Sequence, residues 1–443
     1  MIISIIIFTV IILTTICKIT EPIKNKNFGL FDYFLIWFTF IYALVPLLII
    51  GSNDYVFMSF IGLDKQNKTE LQYIPESLII LVSYLCIILG GRIKQTYWSI
   101  KQINISDRSL FQYSILFFIL SIFFFFFFIS KYGGFDYVIA NLSRIRSGVD
   151  ENKSYLGAFM LILSDIIVVS FIICLYLKFK GFFRGKVIAS LFFYIILASV
   201  FFKFFIGAGR ANIILLFIYI TLSYYFIKTK IPYRFLFIGI PISLFVIFYG
   251  KVFLFNIFSE SNSIAFVDAR NNQESYSYFS MFIHEFNHQF FSMSNFLENN
   301  YESRYMKDYW VWLLKPLKLF DKSNTFYDSI SYYNTYLINR KWDSEIPPGF
   351  IGLSYINGSL IALTIQSLLW GKLTKWLDLL FKNSDFKNKG ILFVIYILIF
   401  NYGWFIFQNG DPALIIQYGL IYILLFSYLI IRKKIILVKV FEN

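Results

Sequence analysis

The chain's only two histidines fall in one five-residue stretch, His284-Glu285-Phe286-Asn287-His288. On a helix, histidines four apart share a face and can hold zinc, with the intervening glutamate as a base. Zinc would need a third protein ligand, and the surrounding stretch from 256 to 346 has no cysteine and only scattered acids. Intramembrane metalloproteases also keep this pattern inside a span, whereas here it follows the polar run Ser275 to Ser280. Two other readings stand beside the metal site. The histidines sit at a membrane interface on an amphipathic helix, or Glu285 works as a carboxylate with His288 one turn away orienting it.

The second group of candidates is cationic. Gly207-Ala208-Gly209-Arg210 makes a very short turn between two apolar runs. An arginine so close to a membrane needs a partner or an anionic ligand. Glycines let a ligand approach the backbone, and a guanidinium binds pyrophosphate through paired hydrogen bonds. Snorkelling to the interface is the plainer reading of Arg210, and more so of Lys203. Arg144 and Arg146 follow Gly133-Gly134 in the connection 132–153, where they contact lipid headgroups or a substrate. Arg270, Arg304 and Arg340 are weaker candidates in the large connection. Asp165, inside an apolar run, is either functional or a buried hydrogen-bond acceptor. Gly410-Asp411-Pro412 reads as a turn.

The elements that must position these residues are membrane helices. Hydrophobic residues make up 58% of the 443 positions and charged residues 15%. A globular domain is about 45–50% apolar and about a quarter charged, so this chain has too little charge to cover a water-facing surface. The apolar residues come in runs of roughly 20, the length of a helix crossing a core of about 30 Å. They lack the period-two alternation of a barrel. The spacing predicts about eleven spans, at 2–17, 30–50, 73–91, 109–130, 154–177, 187–206, 211–227, 235–255, 350–370, 391–407 and 413–431. The first lacks a basic leader and a small-residue cleavage site, so it reads as a retained helix. Cys17, Cys86 and Cys174 all lie in apolar runs, which argues against a disulfide framework and a cysteine metal site. The expected fold is an all-α polytopic membrane protein with no cofactor.

Every second connection on this map is basic. By the positive-inside rule the N-terminus lies outside and the C-terminus in the cytoplasm. The net charge of +14 is therefore topogenic and does not point to nucleic acid. The map divides the chain into spans 1–8 (1–255), a large extracytoplasmic loop (256–346) and spans 9–11 with a short tail (347–443). The loop is too long for a turn, and its aromatic density argues against disorder. Phe282, Phe286, Phe290, Met293 and Leu297 recur at helical spacing, which predicts an amphipathic helix on the outer membrane surface. Tyr309, Trp310 and Trp312 suit the interface.

One stretch carries a family resemblance. Pro348-Gly349-Phe350-Ile351-Gly352-Leu353-Ser354-Tyr355-Ile356-Asn357-Gly358 resembles the P-G-x-I-G-x-x-Y-x-N-x-G signature of the O-antigen polymerases (Wzy), the oligosaccharide repeat-unit polymerases. The turn from Gly207 to Arg210, the segment around Glu285 and the long loop before the last spans are similar to features of that family. The chain departs from it at Ser359 and Ala362, where small glycines often recur. The resemblance implies glycosyl transfer on the outer face of a bacterial inner membrane. The donor would be a growing glycan on undecaprenyl pyrophosphate and the acceptor a single lipid-linked repeat unit. A chain-length regulator would be the protein partner. In that setting Arg210, with Arg144 or Arg146, would hold the pyrophosphate. Glu285 or His288 would serve the acceptor hydroxyl, and Tyr355 and Asn357 would line the sugar site. The competing readings are the O-antigen ligase, a lipid-linked glycan flippase and the HExxH metalloprotease.

Overall fold

The computed structural model describes residues 2–25, 27–52, 73–95, 98–102, 105–141, 145, 154–206, 210–231, 233–258, 286–298, 303–311, 329–339, 346–382, 386, 388–431 and 435–439. Nearly all of the described chain is helical, and eight helices are long and apolar enough to cross a membrane. This is an all-α polytopic membrane protein.

Helix α1 spans Ile2–Lys24, and α2 (Leu30–Thr39) runs through a π-helical turn at Phe40–Leu44 into α3 (Val45–Ser52). Helix α4 is Ile74–Arg92, followed by strand β1 (Trp98–Gln102). Next come α5 (Asp107–Lys131), α6 (Phe135–Ala140), α7 (Tyr155–Leu163), α8 (Ile166–Lys180) and α9 (Val187–Ile206). Helices α7 and α8 form one apolar crossing, tightened at Ser164 and Asp165 by three-residue hydrogen bonds. Helices α10 (Arg210–Lys228) and α11 (Tyr233–Phe258) complete the first part.

Local sequence accounts for several helix ends. Ser106 and Ser154 accept the amides of Ser109 and Gly157 and start α5 and α7. Gly181 ends α8 in the left-handed conformation.

The polar connection contributes α12 (His288–Glu298) and α13 (Ile330–Asn339). Helix α14 (Gly349–Lys382) is two helices, because Gly358 (φ −178°, ψ 31°) and Ser359 (φ 52°, ψ −145°) interrupt it. Helices α15 (Gly390–Asn409) and α16 (Pro412–Ile431) close the bundle, and strand β2 (Ile435–Lys439) pairs antiparallel with β1. Seven of the expected spans fall on apolar crossings, the first running on from 17 to Lys24, and the ninth differs in extent. The expected 350–370 contains the break at Gly358 and Ser359, and the helix beyond it continues to Lys382 and carries Lys372 and Lys375. A hydropathy window stops at the first lysines, whereas the helix itself does not have to.

Helix α4 packs closely against the second half of α14. Contacts at 83 with 367 and 87 with 371 advance together, so the two helices run in the same direction. A Cβ on Gly90 would overlap the carbonyl of Leu368, and one on Gly371 would overlap that of Ile87. Small residues are what let membrane helices approach this closely. A hydrogen bond of 2.8 Å between the Ser83 and Ser367 hydroxyls adds a polar link.

The helix ends sort into two groups. At one end β1 meets β2, Lys180 meets Asp107, Gln95 meets the Lys372 carbonyl, and Asp378 meets the start of α2. Lys18, Arg92 and Lys375 come near Asp32 at this end as well. At the other end α12, residues 303–311 and α13 cover the starts of α4 and α14 and the α15–α16 turn.

Candidate functional site

The second residue of the signature segment is a glycine that nothing larger can replace. Gly349 has φ +75°, and a Cβ there would lie 2.5 Å from the Tyr42 hydroxyl and 2.6 Å from Cγ of Gln289. Tyr42, in the π-helical turn, donates to the Phe407 carbonyl and accepts from the Ile351 amide. Gly410, also at positive φ, brings its α-carbon so close that a Cβ would overlap the Gly349 carbonyl. Gln289 of α12 donates to the Gln408 carbonyl. The start of the motif is therefore a packed junction of four remote segments.

The motif ends where its helix breaks. The interruption at Gly358 and Ser359 frees carbonyls that a continuous helix would use, and the segment 303–311 takes them. The amides of Arg304 and Met306 donate to the carbonyls of Ile356 and Asn357, at 2.8 and 3.0 Å. The Ser303 hydroxyl adds a longer bond to Asn357. Asn357 fixes the segment from the other side. Its Oδ1 accepts from the Asp308 amide, and its Nδ2 donates to Asp308 Oδ2 and to the Leu353 carbonyl.

Asp308 is the hub of this arrangement. It is 2% exposed, and both its oxygens accept from Arg304, through Nε and Nη2 at 2.7 Å each. The paired geometry is the strong form of a charged hydrogen bond. The Arg304 guanidinium also lies 4.4 Å from the ring centre of Tyr333 in α13. Tyr309 donates to Gln366 on the second half of α14, and Gln366 donates to the Phe350 carbonyl. The segment thus bridges the break, held by Asn357 before it and by Gln366 beyond it.

Strain concentrates at the same place. Among the described residues, four other than glycine have positive φ: Thr229, Tyr305, Met306 and Ser359. Three of them meet at this junction, and such outliers persist where the surroundings over-determine them. The segment then turns outward. Tyr305 is 84% exposed, with Met306 and Trp310 also exposed. Lys307 stands among them, its pKa lowered by partial burial and by the neighbouring Arg304 charge, against the pull of Asp308. Burial and the Asp308 charge raise the pKa of the Tyr309 hydroxyl. The outer surface of the clamp is therefore aromatic with a cation, above a buried polar floor.

Two further carboxylates hold the layer beneath. Glu76, in the first turn of α4, accepts from Ser294 of α12 at 2.8 Å. Asp411 caps α16 through the Ala413 amide and accepts from the Ser331 hydroxyl at 2.6 Å, so the expected turn also anchors α13. Asn334 links α13 to Ser292 and to the Ile346 carbonyl.

No family model, no curated protein and no solved structure matches this chain. Its chemistry has to be read from its own residues.

The structure brings Arg304 and Asn357 together through Asp308, which sequence reasoning did not single out. Tyr355 is half-buried on the motif helix, packed beside Phe296, Ile330 and Leu337. His288 opens α12, and its carbonyl accepts from Ser292. Arg210 is the first residue of α10, which puts it at a helix N-terminus. Glu285, Arg144, Arg146, Arg270 and Arg340 lie outside the described residues, as does His284. Among the described residues no group of three metal-ligating side chains comes together.

Three expectations change. Helix α12 is not a surface helix. Residues 289 to 296 are all buried, so Phe290 and Met293 pack into the main core and Phe296 into the motif layer. Lys203 does not snorkel. It is 8% exposed and ion-paired with Asp165, which resolves the role of that aspartate as well. Tyr309 is tied down by Gln366, while Trp310 keeps the exposure expected at an interface.

Proposed function

We propose that the chain is a membrane glycosyltransferase of the O-antigen polymerase kind. It joins undecaprenyl-pyrophosphate-linked repeat units on the periplasmic face of a bacterial inner membrane. The observation that supports this reading is the pairing of the signature helix with segment 303–311. The motif's Gly358 opens the break and its Asn357 holds the clamp, which turns Tyr305 and Trp310 outward beside the partly buried Lys307. An exposed aromatic platform beside a cation suits a pyranose, whose C–H face packs on a ring while its hydroxyls meet polar groups. Asn357 then acts as a positioning residue beneath the sugar.

In this reaction the acceptor hydroxyl attacks the anomeric carbon of the donor glycan. The bond from that carbon to the pyrophosphate oxygen breaks, and undecaprenyl pyrophosphate leaves with the electron pair. Glu285 or His288 takes the hydroxyl proton. Arg210, at the N-terminus of α10, meets the leaving pyrophosphate with Arg144 or Arg146, where helix amides and guanidinium groups both favour an anion. The membrane orients the reactants by holding both lipid tails. No cofactor enters, because the donor linkage is already activated.

The pairing of β1 and β2 needs an even number of crossings between them, which the eleven-span reading supplies; the outside N-terminus rests on the charge pattern alone. Eight crossings between them return the chain to the same side. The count includes the shorter apolar helices 212–228 and 233–246 and the 20-residue α16.

The test is the lipopolysaccharide ladder of a strain deleted for the gene. Core carrying a single repeat unit, with the ladder restored by the wild-type gene, is the expected result. Bare core would replace the reading with the flippase or ligase. An unchanged ladder would end it and return attention to His284–His288.

A further inference from the structure

A ring of polar contacts closes beneath the start of the signature segment. Gln289 of α12 donates to the Gln408 carbonyl, three residues before Asp411. Asp411 accepts from the amide and the hydroxyl of Ser331 on α13. One turn along α13, Asn334 donates to Ser292, which lies one turn along α12 from Gln289. Gly349 draws the ring tight, because its α-carbon packs against both Gln289 and Gly410, the neighbour of Asp411. Gln289, Asn334 and Asp411 are thus joined pairwise, each through one contact and about one helical turn, or about 5 Å.

Two corners of this ring carry acceptors with nothing to accept. The amide orientations are fixed, since Gln289 Nε2 donates to the Gln408 carbonyl and Asn334 Nδ2 to the Ile346 carbonyl. Their oxygens, Gln289 Oε1 and Asn334 Oδ1, are buried and have no hydrogen-bond partner, and both residues are 0% exposed. A buried acceptor left unpaired costs its full desolvation.

The third corner carries charge. Both oxygens of Asp411 accept hydrogen bonds, as a carboxylate does, and it is 1% exposed. Among the described residues no cation pairs with it. The positive end of α16, which begins at Pro412, is matched at this turn by the negative end of α15, which stops at Asn409. A buried carboxylate calls for a counter-charge, and Oδ1, which accepts from the Ala413 amide alone, keeps a lone pair for one.

We propose that this ring binds one alkali-metal cation, held by Gln289 Oε1, Asn334 Oδ1 and Asp411 Oδ1. Oxygen ligands suit a hard cation, and one carboxylate beside two neutral amides balances a single positive charge. A water could donate to both amide oxygens, but it would leave the carboxylate uncompensated. The ion would lock α12, α13 and the α15–α16 turn beneath Gly349. The site does not depend on the glycosyl-transfer reading.

The experiment uses purified full-length protein in detergent, with choline replacing sodium at constant ionic strength. Wild-type protein should retain radioactive sodium saturably, to one ion per chain, and Asp411→Asn should weaken that binding about tenfold or more. Sodium should also raise the unfolding midpoint of the wild type above its value in choline, because a ligand held by the folded chain stabilises it. That reading needs no variant, so it stands if Asp411→Asn fails to fold. Absence of saturable sodium binding in the wild type would give the ring to water and overturn the proposal. Equal midpoints in the two salts, or undiminished binding by Asp411→Asn, would overturn it as well.

Discussion

The two ends of the bundle solve the same problem differently. Each uses a carboxylate to tie remote segments together. At the basic end, Asp378 of α14 accepts the amides of Leu30 and Phe31 and the Tyr396 hydroxyl. It does for the start of α2 what an N-cap residue would do, from another helix. At the other end, Asp308 holds a guanidinium, an asparagine and its own backbone amide against a broken helix. The first arrangement is local repair of a regular helix and demands no unusual backbone. The second needs three strained residues and a helix interruption, which regular packing alone would not select. That asymmetry places the specialised surface at the loop-bearing end.

Cutting the second arrangement should therefore cost far more than cutting the first. Asp308→Ala leaves the Arg304 guanidinium buried without its carboxylate. Breaking a buried pair by removing one partner costs about 3–5 kcal/mol. Thermal unfolding of the purified protein in detergent should show the loss, and the polysaccharide ladder should collapse with it. A variant with wild-type stability would mean that Asp308 does not bear on the clamp. By comparison, Asp378→Ala removes a cap and should cost about 1–2 kcal/mol, with the ladder retained at permissive temperature. Equal losses in both variants would erase the distinction between the ends.

Much of the basic end was legible in the sequence, and little of the clamp. Apolar runs and alternating charge locate helices because both signals repeat over some 20 residues, and the helices from α1 to α5 fall where they predict. A break of two residues inside one apolar run has no such signal. Gly358 marks it only weakly, and Ser359 looks like an ordinary polar residue. Asp308 was invisible for another reason. Its partners Arg304 and Asn357 are 4 and 49 positions away, and only the break brings the second within reach. The burial of α12 escaped for a third. Its Ser292, Ser294 and Asn295 read as a polar face, but they are enclosed, and Ser292 and Ser294 bond to Asn334 and Glu76. The motif was visible as a string, while its physical work, a packed glycine at one end and a loop-holding asparagine at the other, required the fold.

Ser359 offers a sharper test, because here a substitution should help. Its φ of 52° with ψ of −145° is a conformation that favours glycine. Strain of this kind costs about 1–3 kcal/mol, and glycine gives back part of the gain through its greater freedom when unfolded. Ser359→Gly should therefore raise stability by about 1 kcal/mol, read as a higher midpoint in the same unfolding experiment. A lower midpoint would mean that the serine makes an interaction worth more than the strain, and the break would then be held by its side chain.

The smallest effect belongs to the basic end's own ion pair. Lys180 lies 2.8 Å from Asp107, with about a quarter of each side chain exposed. The Arg304–Asp308 pair has the same charges, but its exposures are 11% and 1%. Solvent screening and the entropy of holding two side chains reduce exposed pairs to about 0–1 kcal/mol. Asp107→Asn should thus cost roughly 0.5 kcal/mol, and raising the salt concentration should shrink that difference further. The cost of Asp308→Ala should persist in the same salt, because a buried pair is screened much less. A salt-insensitive loss at Asp107 would show that this end carries a desolvated charge network too, and the contrast between the ends would have to be drawn on backbone strain alone.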